Sequence, residues 1–307
     1  LAAGLASAAQ AQSFEGVLAR FRPEDPGCAV GVERKGEAAQ LRAYGSADLE
    51  HGVPITPDTV FEAGSVSKQF TAAAVLLLAA EGKLSLGDDI RRHLPEMPDY
   101  GRPITVDMLL SHTSGLRDWG EVMGLAGWPR TSRVYTPFEV LQIAARQKSL
   151  NYPPGEAYSY TNTGYNLAAI IVQRVSGQTL AEYTRERFFE PLGMTKTSWR
   201  ENYRRVVKDR AVAYARGPGD SWLQDMPFEH TFGHAALLTT VGDLLIWNRA
   251  LGEGRLPRGI AARMVERPTL TGGRKIAYAR GLTVVASDGR EQVAHSGATA
   301  GYRAWLG

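Results

Sequence analysis

The chain has 307 residues, 44% of them hydrophobic, enough apolar material for one large core or two interleaved lobes, so no stapled mini-scaffold is needed. The formal net charge is +3, with Lys and Arg dispersed along the chain, which excludes the basic arms of nucleic-acid binders. A single cysteine, Cys28, excludes an internal disulfide framework, and its apolar surroundings make it a small buried residue.

The opening LAAGLASAAQAQ is uncharged and offers small-x-small patterns such as Ala9-Gln10-Ala11. Residues 1–12 therefore read as the tail of a secretory signal peptide or a disordered leader. No later run reaches the ~18–20 apolar residues of a bilayer span, because Ala72–Ala80 is bounded by Lys68 and Glu81. The expectation is an exported protein, periplasmic or secreted, without a membrane span.

A short amphipathic helix is expected over Ser13–Phe21. Cys28–Glu33 and Ala38–Tyr44 then read as a hairpin turning at Lys35-Gly36. In GSVSKQF and the run after it, Phe70, Ala74, Leu77 and Leu78 keep helical spacing while Leu76 and the alanines fill the other faces. A helix starting at Ser65 and buried nearly all round follows. Thr136-Pro137-Phe138-Glu139 is a capping box with Pro at the first helical position, and Thr179–Glu182 repeats the box. Leu167 and Ile171 mark a helix stopped by Gly177, and Val241–Leu251 another, capped by Thr240 and ended by Gly252.

From Ile276 onward the pattern returns to strands: GLTVV, a Ser287-Asp288-Gly289 turn, EQVAH, and GYRAWLG. The order of strands, long helical middle and strands predicts an α+β fold: an antiparallel sheet flanked by helices, with an inserted all-helical domain. The sheet domain is expected over 13–85 plus 233–307 and the helical domain over 86–232.

A serine hydroxyl is a weak nucleophile until a base takes its proton, and a lysine one turn along the same helix can be that base. Ser65 and Lys68 have this spacing, with Ser65 where free N–H groups and the positive helix end favour an anion. The lysine must be brought from about 10.4 toward ~7–8, which burial beside another cation would do. By itself the pair is also what a serine cap followed by a surface lysine looks like. Tyr160, Thr161 and Asn162 lie in YSYTNTGY, a polar loop feeding a helix at Gly164, where a phenol and an amide can project into a cleft. His295, Ser296 and Gly297 are expected at a strand end, the glycine letting a substrate backbone approach the sheet edge.

These three elements in this order, with FEAGSVSKQFTAAAVLLLAAEGKLSL, MLLSHTSGLRD and LLTTVGDLL, resemble the serine β-lactamase and penicillin-binding-protein superfamily, in its class C β-lactamase, D,D-peptidase and esterase branch. The likeness runs from about Phe14 to Gly307. It implies that Ser65 is acylated, that Lys68 accepts its proton, that Tyr160 shuttles protons, and that Asn162 holds Lys68 and a substrate amide. It further implies an oxyanion hole from the backbone N–H groups of Ser65 and Ala298, substrate contacts from Ser296, Gly297 and Ala298, and no cofactor. His295 departs from the Lys of K-T-G in typical β-lactamases; as a partly charged group it weakens the case for efficient β-lactam hydrolysis and leaves peptidase or esterase action, whose branches also use H-x-G. The resemblance also implies a further strand between Gly301–Gly307 and Cys28–Glu33, so a monomer ending at Gly307 is expected to be unstable or inactive. The expectation is that the natural protein is longer or that another chain supplies the strand.

The remaining candidates are weaker. His112 resembles part of a structural turn. His230 and His234 have the spacing of a helical metal pair but sit beside Phe232-Gly233 with no third ligand, so no metal is expected. Gly219-Asp220-Ser221 resembles a lipase signature in a Gly/Pro-rich loop, and no serine has the G-x-S-x-G elbow. Trp119, Trp128 and Trp222 are candidates for lining a cleft or for core packing. The expected function is an exported serine hydrolase acting on small esters or D-amino-acid peptide or amide bonds. The alternatives are a class C-like β-lactamase or D,D-carboxypeptidase, or a penicillin- or peptidoglycan-binding module with little turnover. The partner is thus a small-molecule ester, peptide or β-lactam, not nucleic acid, and the oligomeric state is not encoded.

Overall fold

The computed structural model describes Gly16, residues 22–287 and residues 289–307. The leader, the helix expected over Ser13–Phe21 apart from Gly16, and Asp288 of the expected turn lie outside the described residues. The expected hairpin forms from β1 (Cys28–Val32) and β2 (Gln40–Tyr44), antiparallel with Cys28 opposite Tyr44 and Val32 opposite Gln40. Cys28 is only half-buried, and that burial raises its thiol pKa.

β3 (Phe61–Glu62), β4 (Ser198–Trp199) and β5 (Leu237–Thr239) form a small antiparallel sheet with β5 in the middle. It ties the segment before Ser65 to the segment after His234, which are far apart in sequence: Ala63 N donates to Leu237 O at 2.8 Å and Leu237 N to Ser67 Oγ at 3.1 Å.

The C-terminal sheet has the order β6 (Thr283–Ser287), β7 (Arg290–Thr299), β8 (Tyr302–Leu306). β7 uses its two halves differently. Residues 290–294 pair with β6, whereas His295–Thr299 pair with β8. Beyond Ala294 the first edge of β7 is released from β6 and lies against the turn at Gly64–Ser67. Among the described residues β8 pairs only with β7, and β1 only with β2.

That turn is one 3-10 helical turn, Gly64–Ser67, and the regular helix α1 runs from Lys68 to Ala80. The expected helix therefore starts regularly three residues later than Ser65: Gly64 has φ +51°, a conformation few other residues adopt. Every α1 residue from Lys68 to Leu78 is buried, as the apolar filling of all faces requires. Phe70 packs on Trp247 with ring centroids 4.2 Å apart and on Phe189 at 5.7 Å.

Around α1 stand α2 (Val106–Leu110), α3 (Trp119–Leu125), α4 (Pro137–Ala145), α5 (Asn162–Ser176), α6 (Leu180–Thr184) and α7 (Val241–Gly252). Both expected capping boxes form, at Thr136 and Thr179, and Gly177 ends α5 at φ +76°. α7 is capped by Thr240 as expected and includes Gly252 as its last residue. It covers β1 so closely that a Cβ on Gly31 would stand 2.8 Å from Leu245 and Val241. Short strands at Ser198–Trp199, Tyr214–Arg216 and Trp222–Gln224 accompany the helices of the middle segment.

Candidate active site

Three elements converge on Ser65: α1, the first turn of α5, and the released half of β7. Lys68, the first residue of α1, is fully buried. Its Nζ lies 3.0 Å from Ser65 Oγ, 2.9 Å from Asn162 Oδ1 and 2.8 Å from the His234 carbonyl. The last two atoms can only accept. A neutral amine has two N–H donors for them and one lone pair left, facing the Ser65 hydroxyl. Burial drives the Lys68 pKa well below the lysine value, Arg130 pushes it further down, and Asp118 partly opposes.

Asn162 opens α5 instead of lying in the loop before it, so the helix starts two residues earlier than Gly164. Thr161 is its cap, and the Asn162 N–H donates to Asp118 Oδ2 at 2.7 Å. Asp118 in turn caps α3 by accepting from Gly120 and Glu121 N–H. One carboxylate thus joins the starts of two helices and fixes the backbone that carries Asn162. The Tyr160 ring lies 4.7 Å from Lys68 Nζ. Burial raises its phenol pKa well above the usual value, with a hydrogen bond to Ser65 working against that shift. The phenol stays protonated around neutrality.

The three residues His295, Ser296 and Gly297 lie inside β7 and not at its end. Alternation along the strand sends His295 and Gly297 to the buried side and leaves Ser296 and Ala298 outward. Gly297 is required by the protein's own backbone and not by a substrate: a Cβ there would stand 2.0 Å from Ala63 O and 3.2 Å from Ser65 N. Gly64 makes the reciprocal approach, its Cβ position falling 2.6 Å from Ala298 N. The N–H groups of Ser65 and Ala298 are brought together by this glycine-on-glycine contact.

His295 is buried, with a pKa lowered to about 4, chiefly by burial and further by Lys68. It is therefore neutral at pH 7, which corrects the expectation of partial charge. Nor is it among the groups that lower Lys68; Arg130 is the cation that does so.

The sequence reading missed Asp118, Arg130, Glu229, Asn166 and Tyr278. Only Asp118 had a local signal, an Asp three residues before Glu121 at a helix start. Arg130 pairs with buried Glu229 through Nε and Nη2, one edge of its guanidinium, and stacks 5.2 Å from the Trp119 ring. Tyr278 O–H meets His295 Nε2 at 2.9 Å. Of the expected bystanders, His112 is buried against the Tyr160 ring at 4.2 Å and accepts from Thr161 N–H. His234 faces Asn166 and the Arg130–Glu229 pair, while the His230 ring packs on Tyr203. Trp119 is core, Trp128 is exposed, and Trp222 lies under Arg216.

The Beta-lactamase family profile matches residues 18–307. The D-aminopeptidase of Brucella ovis is 30% identical over 284 residues, 91% of this chain and 53% of that protein. The chain spans about half the length of the curated relatives it matches. The octameric penicillin-binding protein homologue from Pyrococcus abyssi has a TM-score of 0.79 at 29% identity, over 91% of this chain and 66% of that one. The D-amino acid amidase from Ochrobactrum anthropi SV3, complexed with D-phenylalanine, has a TM-score of 0.76 at 26% identity, over 90% and 81%.

Proposed function

Because the chain belongs to the Beta-lactamase family, we propose that it is a serine hydrolase that forms an acyl-enzyme on Ser65 and cleaves amide or ester bonds of small D-amino-acid derivatives. The observation that carries this reading is the buried Lys68 Nζ, 3.0 Å from Ser65 Oγ, with both other near partners obligate acceptors.

In this reading Ser65 Oγ bonds to the substrate carbonyl carbon as its proton passes to Lys68 Nζ. The carbonyl oxygen becomes an anion facing the N–H groups of Ser65 and Ala298, where one donor is commonly worth ~3–4 kcal/mol. The C–N or C–O bond then breaks, and the leaving group takes the proton through the Tyr160 hydroxyl. Water attacks the Ser65 ester, the acyl group leaves as a carboxylic acid, and Ser65 regains its proton.

The neutral His295 offers no cation to a substrate carboxylate, which favours amides and esters over β-lactams and C-terminal peptides. The names of the Brucella and Ochrobactrum relatives support D-amino-acid substrates.

Intact-mass analysis after a fluorophosphonate or penicillin probe tests the nucleophile: wild type gains one adduct, and equal labelling of Ser65→Ala sinks the assignment. A panel of D- and L-amino-acid amides, p-nitrophenyl esters and a chromogenic cephalosporin, followed past one turnover, tests the substrate class. Acylation that stops at one equivalent on every substrate would make the chain a binding module.

A further inference from the structure

Lys68 has two obligate acceptors, and one face of α5 controls both. Asn162 supplies the first directly. One turn later, at the i+4 position on the same face, Asn166 is buried to 1% exposure and grips the segment that supplies the second. Its Nδ2 donates to Phe232 O at 2.8 Å and meets His234 Nδ1 at 2.9 Å, while its Oδ1 accepts from Trp119 Nε1 at 3.0 Å. Phe232 O can only accept and the indole can only donate, so the amide has one orientation. His234 Nδ1 is then an acceptor, and its Nε2 faces the Arg130–Glu229 pair.

Between the two gripped residues Gly233 sits at φ +91°, with no room for a Cβ: Ala169 Cβ and Tyr165 O would both be 2.7 Å away. Its carbonyl accepts from Thr71 Oγ1 of α1 at 2.8 Å. The segment Phe232–His234, which ends in the His234 carbonyl, is thus held from α1 by Thr71 at Gly233 and from α5 by Asn166 at Phe232 and the His234 ring.

We infer that Asn166 is a positioning residue for the reaction proposed above: through Phe232 and His234 it holds the carbonyl that aims the Lys68 lone pair at Ser65. Thr71 supports the same segment from the other side, at the Gly233 carbonyl. Asn166 does not itself touch Ser65, so its effect must pass through Lys68.

The test is the second-order rate of Ser65 labelling by a fluorophosphonate in the full chain. A misplacement of ~1 Å at a reacting group costs up to about 10²-fold, so Asn166→Ala is expected to slow labelling by about 10- to 100-fold. In a Lys68→Ala background the same substitution is expected to slow it by less than about twofold, since a residue acting through Lys68 has nothing left to act on. Near-ultraviolet circular dichroism monitors folding. Should Asn166→Ala not fold, Thr71→Val, which keeps the side-chain shape and removes the bond to Gly233, decides with the same two backgrounds. Wild-type labelling rates in these variants, or equal slowing with and without Lys68, overturn the inference. Failure of the underlying reading is distinct: there, Ser65→Ala labels as well as wild type.

Discussion

Tyr278 O–H and His295 Nε2 are 2.9 Å apart, and the other ring nitrogen of His295 lies 2.5 Å from the Ser296 carbonyl. A carbonyl only accepts, so Nδ1 carries the proton and Nε2 takes the phenol hydrogen. The buried imidazole is locked as one neutral tautomer, its ring 6.1 Å from that of Tyr160. Nitrogen NMR of the ring is expected to show this tautomer from pH 8 down to about 5, consistent with its pKa near 4. A gain of charge near the free histidine value of ~6.5 would contradict the lock.

His295→Lys tests the meaning of that neutrality. A cation at this place is expected to raise cephalosporin turnover relative to D-amino-acid amide turnover. A ratio that falls along with both rates would mean that the histidine serves geometry, and the charge argument would be wrong.

Lys68→Ala is expected to lower kcat/KM by roughly 10³-fold or more, since base and nucleophile act as a unit. In wild type kcat/KM should rise with pH through an apparent pKa well below the ~10.4 of free lysine. Asp118 raises the Lys68 pKa and Arg130 lowers it. Asp118→Asn should therefore move the rising limb to lower pH and Arg130→Gln to higher pH. Shifts in the same direction would show that the two groups do not act on Lys68 by charge.

Gly297→Ala places a methyl 2.0 Å from Ala63 O, and Gly64→Ala one 2.6 Å from Ala298 N, at a φ of +51°. Neither backbone neighbour can turn aside as a side chain would. Both variants are expected to lose activity by about 10²-fold or more, as one displaced oxyanion donor does. Steady-state kinetics and thermal melts check this. An active Gly297→Ala protein with an unchanged melting temperature would refute the contact between β7 and the turn.

Stability should fall with acid in a defined window. His234 and His295 have folded-state pKa values near 4, lowered from 6.5 mainly by burial. Between about pH 6.5 and 4 the unfolded chain therefore binds protons that the folded chain refuses, and stability drops by up to about 1.4 kcal/mol per pH unit for each group. Chemical denaturation at pH 7, 5.5 and 4.5 measures it. A flat profile across that window would mean that these histidines ionise in place.

By itself the sequence determined the parts of this protein that depend on neighbours along the chain. The capping boxes at Thr136 and Thr179, the Gly177 stop, the all-round burial of the helix after Ser65 and the Cys28–Tyr44 hairpin all follow from local hydrogen bonding and apolar periodicity. The three-residue offset placed Ser65 and Lys68 within reach of each other, because that spacing spans one turn whether the turn is 3-10 or α. Tyr160, Asn162 and His295 became legible only as an ordered set, through resemblance.

Tertiary structure decided the rest, because the remaining determinants lie far apart in sequence. Nothing around His295 predicts its neutrality, which comes chiefly from burial and further from Lys68, while Tyr278 fixes its tautomer. Nothing around Gly297 shows that its missing side chain makes room for Ala63 and Ser65. The Lys68 pKa is lowered by enclosure and by Arg130 against Asp118, and its second acceptor arrives from the backbone of His234, held by Asn166. Local pattern places side chains on faces of helices and strands; which faces meet, and which charges then lose their water, is set only when the distant segments close on one another.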